Sequence, residues 1–131
     1  MAATLAPDQV ERLLAAARAA QARAHAPYSR FLVGAAVLDE TGRIHAGCNV
    51  ENASYGLTVC AERNAIAAAV AAGARRIRAV AVVSADAVTP CGACRQVIAE
   101  FADEACTITF PRDGELTTFS LDEILPERFR L

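Results

Sequence analysis

Residues 77–83, Ile-Arg-Ala-Val-Ala-Val-Val, constrain the fold of this chain more than any other stretch. The run is short, rich in β-branched residues and apolar at all but one position, so it reads as a strand covered on both faces. Such a strand belongs in the middle of a sheet with helices on either side. Its flanks supply the covering elements. From Pro7 to about Arg23 the apolar residues Val10, Leu13, Leu14 and Ala17 recur with a 3.6-residue period, and Pro7 and Asp8 suit a first helical turn. Ala26-Pro27 breaks that helix, because the residue before proline is pushed out of the helical region. Phe31 to Leu38 and Arg43 to Asn49 flank Asp39-Glu40-Thr41-Gly42 and read as a hairpin.

Glu51 to Thr58 is polar and reads as a loop, leading into an Ala-rich helix from Val59 to Ala72 that Gly73 closes. Thr89-Pro90 opens a third helix, Cys91 to about Phe101, with proline at its start. Cys106 to Phe110 and Leu116 to Phe119 are short strands around Arg112-Asp113-Gly114, and Leu121 to Leu125 is a last helical turn. Together these elements predict a three-layer α/β/α sandwich around a mixed five-stranded sheet.

At 131 residues the chain has the length of one domain, 1–131, and 54% hydrophobic residues give it the means to bury a core. All thirteen basic residues are Arg and the net charge is −2. That balance argues against binding polyanions, and the trio Arg75, Arg76 and Arg78 reads as a solvated turn rather than a basic patch. No apolar run reaches the roughly 18 residues of a membrane span, and no basic-then-apolar leader opens the sequence. The expectation is a soluble, cytoplasmic protein without a nucleic-acid or membrane partner. Five cysteines in such a chain are better read as ligands or free thiols than as a disulfide framework.

Three of them fall in two short motifs, Cys60-Ala61-Glu62 and Pro90-Cys91-Gly92-Ala93-Cys94, each at a predicted helix start. A catalytic zinc takes three protein ligands and leaves its fourth position to water, whose pKa it lowers to near 7. Cys60, Cys91 and Cys94 meet that requirement, and Glu62 is placed to move protons without binding metal. Three thiolates on Zn²⁺ leave a net charge of −1, which helix amino termini and Arg63 or Arg95 could offset; Arg63 is the better placed. Cys48 and Cys106 fit no ligand spacing and read as small buried hydrophobes. His25 and His45 stand alone, outside any ligand motif.

The zinc nucleobase deaminases share this layout, a first ligand followed two residues later by Glu and then Pro-Cys-x-x-Cys. With Asn49-Val50-Glu51-Asn52-Ala53-Ser54-Tyr55-Gly56 and Cys94-Arg95-Gln96 added, the chain resembles the small homotetrameric cytidine deaminases, from Pro27-Tyr28-Ser29-Arg30-Phe31 to Leu125-Pro126-Glu127-Arg128-Phe129. The resemblance implies zinc-dependent deamination of cytidine and deoxycytidine in pyrimidine salvage, with Glu62 as the proton shuttle. It implies that Asn49 and Glu51 hold the ribose hydroxyl, that Phe31 packs beside the nucleoside, and that the Ala61–Glu62 region reads the pyrimidine edge. Tyr55 and Phe129 would complete a neighbouring subunit's pocket in a homotetramer.

Other readings compete. Asn49 and Glu51 are ordinary turn formers, and Phe31 and Phe129 could be packing residues. Gly34, Ala35, Ala36 and the Ala-rich helix suit close contacts between subunits or within one. Cys91-Gly92-Ala93-Cys94 could be a redox pair, which leaves Cys60 and Glu62 without a task. A structural zinc module lacks a fourth ligand. Among deaminases, a blasticidin-type enzyme would not need the Asn49–Glu51 sugar clamp.

Overall fold

The computed structural model describes residues 5–131. Helix α1 spans Pro7–Gln21, followed by strands β1 (Val33–Asp39) and β2 (Ile44–Cys48), then helix α2 (Ala61–Ala71) and strand β3 (Ile77–Ser84). Helix α3 (Gly92–Phe101) runs directly into β4 (Ala102–Arg112), which β5 (Glu115–Ser120) and helix α4 (Leu121–Ile124) follow. The strands form one mixed sheet in the order β2-β1-β3-β4-β5. β3 is its centre, as its two-sided apolar pattern requires, and it is the parallel partner of β4; the other pairs are antiparallel.

Side chains alternate across β3, so one strand feeds two cores. On one face Ala79, Ala81 and Val83 meet Leu13, Leu14 and Ala17 of α1 together with Ala36 and Leu38 of β1. On the other, Val80 and Val82 pack with Ala65, Ile66 and Ala69 of α2, Ile98 of α3 and Leu121 and Ile124 of α4. This is the three-layer arrangement. No helix among the described residues is long and apolar enough to cross a membrane.

Two glycines set the layer spacing. A Cβ on Gly34 would stand 1.9 Å from the Ala17 carbonyl of α1, and one on Gly47 would stand 2.4 Å from the Ala65 amide of α2. The small residues of β1 therefore serve contact within the chain: Gly34 lies against α1, and Ala35 and Ala36 are fully buried on opposite faces.

Several element ends differ from the sequence expectation, and some of the differences have a local reason. α1 stops at Gln21 rather than Arg23. β1 starts at Val33, not Phe31, because the Asn49 side chain takes the Val33 amide and the Phe31 carbonyl where a ladder would begin. β2 is confined to Ile44–Cys48, and the loop from Glu51 contains a 3₁₀ turn at Tyr55–Leu57. α2 begins at Ala61 because Val59 pairs with Val50 through two 3.0 Å backbone hydrogen bonds and is held extended. Cys91 is the N-cap of α3, so Pro90 lies outside the helix it was expected to open. β4 begins four residues before Cys106: Ala102 pairs with Ile77, and an irregularity in register absorbs the polar Asp103 and Glu104. Arg78 lies within β3, so the arginine trio is part turn and part strand.

Candidate active site

The register places Val33 beside Ser84 and Gly34 beside Cys48, so the start of β1 and the ends of β2 and β3 share one end of the sheet. The segments leaving that end carry every residue of the two cysteine motifs. Cys60 and Cys91 occupy equivalent positions: each is a helix N-cap with extended backbone, and each carbonyl accepts the first helical hydrogen bond, from Asn64 at 3.1 Å and Arg95 at 3.0 Å. Their sulfurs thus sit at the electropositive ends of α2 and α3, where free N–H groups favour negative charge. Cys94, one turn into α3, is fully buried and completes the trio.

The sulfurs of Cys60 and Cys91 are 3.9 Å apart, those of Cys91 and Cys94 3.4 Å, and all three lie within 4.8 Å of one another. A tetrahedral zinc with Zn–S bonds of about 2.3 Å spaces its sulfurs about 3.8 Å apart, so the geometry fits zinc. The thiols do not ionise independently. Hydrogen bonding from Cys94, opposed by burial and assisted by Arg63, lowers the Cys60 thiol to about 5. The same contact with Cys60, together with burial, pushes the Cys94 thiol up. A divalent ion would displace the remaining protons.

Arg63 lies beside the first cysteine: its Nη2 donates to the Cys60 sulfur at 3.5 Å, and its buried Nε finds no partner among the described residues. Arg95 does not join the sulfurs. Its donors go to Pro90 O, Ile124 O and the Thr89 hydroxyl at 2.7–2.9 Å, because the side chain runs back past the helix start to oxygens. Glu62 is 4% exposed, and burial raises its carboxyl above the ordinary range, with the charge of Cys60 adding to the effect. Such a group holds a proton at a pH where a surface glutamate has lost it. Ala61 beside it is fully buried.

Asn49 and Glu51 hold the segment that leads into β1. Asn49 accepts from Val33 N at 2.9 Å and donates to Phe31 O at 2.8 Å, fixing where Phe31 stands. Each amide atom keeps one further hydrogen-bonding position. Glu51 Oε1 accepts from the amides of Tyr28 (3.0 Å) and Ser29 (3.2 Å), and Oε2 accepts from the Ser29 hydroxyl. The Ser29 hydroxyl bond is the foremost influence holding this carboxyl below the ordinary range, burial opposing it. Ser29 was not singled out from sequence; a serine 22 residues before its partner leaves no pattern. A cavity of about 390 Å³ lies over Glu51, lined also by Tyr28, Ser29, Tyr55 and Thr58. Neither this cavity nor a larger hollow between α3, α4 and the C-terminal segment is lined by the cysteines or by Glu62.

Tyr55 and Phe129 are 75% and 70% exposed. His45 is satisfied by Asp39, 2.8 Å away, and Cys106 is buried, while Cys48 is half-buried. None of the three belongs to the cluster.

An open trio of thiols at two helix starts, with a buried carboxyl beside one of them, defines a metal-dependent hydrolytic site on an α/β/α frame. The profile of the cytidine and deoxycytidylate deaminase zinc-binding region matches residues 7–109, and the chain belongs to that family. Cytidine deaminase of Sporosarcina psychrophila is 45% identical over 123 residues, covering 92% of this chain and 90% of that one. The crystal structure of cytidine deaminase from Burkholderia pseudomallei superposes with a TM-score of 0.84 at 44% identity, covering 91% of this chain and 98% of the other. Blasticidin-S deaminase of Bacillus cereus is more distant, 31% identical over 107 residues, 74% of this chain and 76% of that protein.

Proposed function

We propose that this chain is a single-domain zinc-dependent hydrolase that converts cytidine and deoxycytidine to uridine and deoxyuridine, releasing ammonia, in cytoplasmic pyrimidine salvage. The observation that carries the reading is the cluster of Cys60, Cys91 and Cys94 sulfurs with the buried Glu62 carboxyl two residues from the first of them. The three thiolates would hold zinc, which supplies a Lewis acid that makes water a nucleophile at neutral pH. Glu62 takes a proton from the attacking water and passes it to N3 of the ring. It then takes the remaining proton from the new C4 hydroxyl and delivers it to the departing amine as the C4–N bond breaks, leaving a C4 carbonyl and ammonia. Burial of Glu62 suits this role, since a shuttle needs a pKa near the working pH.

Asn49 and Glu51 are assigned to the sugar hydroxyl, which donates and accepts and so matches an amide beside a carboxylate. Phe31 is assigned to the nucleoside's side, and Ala61 to the pyrimidine edge. Arg63 offsets the surplus negative charge of three thiolates. Tyr55 and Phe129, exposed in one chain, are assigned to the pocket of a neighbouring copy in a homotetramer.

The test is conversion of free cytidine by zinc-loaded protein, followed by the fall in the base's absorbance. Rapid conversion is the expected result. Zinc-loaded, folded protein that leaves cytidine unchanged but deaminates blasticidin S would overturn it in favour of the second reading, which the 31% identical relative keeps open.

A further inference from the structure

The approach to Cys91 has little to hold it. Among the described residues, no backbone–backbone hydrogen bond reaches Ala87–Pro90, and Pro90 has no N–H to give. Pro90 is nevertheless fully buried, so its carbonyl needs a donor. Beside the first turns of α3 lies the end of α4, a helix of four residues secured at its start by reciprocal Ser120–Glu123 hydrogen bonds. Its end leaves carbonyls without helical partners.

One side chain serves all of these needs. Arg95 Nε donates to Pro90 O at 2.8 Å, Nη2 to the Thr89 hydroxyl at 2.9 Å, and Nη1 to Ile124 O at 2.7 Å. The next residue, Gln96, donates from Nε2 to Phe129 O at 3.3 Å, so the first turns of α3 hold the C-terminal segment at a second point. We propose that Arg95 is a positioning residue that ties the Thr89–Cys91 approach to the end of α4, keeping the Cys91 sulfur in ligand position. The planar guanidinium directs donors to three acceptors on two segments; a lysine has one nitrogen and can bridge few of them. Charge is secondary to shape here, since all three acceptors are neutral oxygens.

The proposal rests on the zinc reading of Cys60, Cys91 and Cys94, and its test reads the metal rather than turnover. Zinc-loaded protein is mixed with an excess of a chromogenic chelator, and the rate of zinc release is followed at neutral pH. Arg95→Ala and Arg95→Lys should both release zinc about tenfold or more faster than the unaltered protein, the usual scale for groups that orient a ligand. Thr89→Val, which removes one of the three hydrogen bonds, should fall between. Arg75→Ala is the control: Arg75 donates to the carbonyls of Val70, near the end of α2, and Ala74, in the turn after it, and its loss should leave release unchanged.

Release at the original rate from Arg95→Ala, full rescue by Arg95→Lys, or equal acceleration by Arg75→Ala would each overturn the tether. Should Arg95→Ala fail to fold, an unaltered rate in Thr89→Val overturns it instead. Unaltered protein that takes up no zinc defeats the ligand assignment and the tether with it, whereas zinc-loaded protein with indifferent variants defeats the tether alone.

Discussion

At the scale of single residues, the chemistry rests on how strongly each group's surroundings depart from water. Glu62 is buried, its carboxyl is raised above the usual range, and it lies outside the cluster of three sulfurs. Glu62→Gln keeps the shape and a hydrogen-bonding head but cannot carry a proton. It should retain one zinc per chain while turnover falls by about 10² to 10⁴, the range general acid–base catalysis supplies. Metal analysis and initial rates on the same preparation check this; near-normal turnover with zinc bound would remove Glu62 from the proposed mechanism. The meeting of the Cys60, Cys91 and Cys94 sulfurs and the Arg63 contact with Cys60 could be read from sequence because helix caps fix side chains within a few residues, so spacing carries their geometry. Arg95 and Ser29 could not. Their partners, Ile124 and Glu51, are brought near by the fold, and sequence distance holds no trace of that approach.

At the scale of elements, the sequence pattern names each α-helix and strand among the described residues, because apolar runs bounded by Pro and Gly coincide with the packed segments. The ends were less legible, and Val59 shows why: a helix-like neighbourhood lost to a backbone pairing with Val50. The β1–β2 hairpin contains a feature no pattern announced. Asp39 is fully buried, accepts from the amides of Thr41 and Arg43 and the Thr41 hydroxyl, and lies 2.8 Å from His45 Nε2. Burial alone would raise this carboxyl, but the hydrogen bonds, led by that with His45, hold it well below the ordinary 3.8. An unfolded chain therefore binds this proton more readily than the folded one. The carboxylate's contribution is present above about pH 4 and is lost as acid protonates it. Asp39→Asn should cost about 1.5–3 kcal/mol at neutral pH, the worth of hydrogen bonds to a charged group. The difference in melting temperature between variant and parent should shrink below pH 4; a constant difference down to pH 3 would show that ionisation of Asp39 is not what stabilises the hairpin.

At the scale of the whole molecule, one chain leaves apolar surface around the proposed site uncovered. Tyr28, Tyr55 and Leu57 are 52%, 75% and 65% exposed, and Tyr28 and Tyr55 meet edge to face with ring centres 6.0 Å apart. A homotetramer would cover such residues. Sedimentation should give a particle of about four times 13.8 kDa, and Leu57→Glu should shift it to smaller species with loss of activity. A monomer at micromolar concentration that turns over cytidine would refute both the assembly and a shared pocket. The arrangement of the sheet has a further consequence, for how a ribosome makes this protein. β3 joins β1, already synthesised, on one side, but its other edge waits for β4. At about 5–20 residues per second, the hydrophobic middle of the sheet stands bare for a second or more before β4 emerges. During that interval the Ile77–Ser84 edge can pair with another nascent chain, so neighbouring ribosomes on one message are where this fold is most exposed to aggregation.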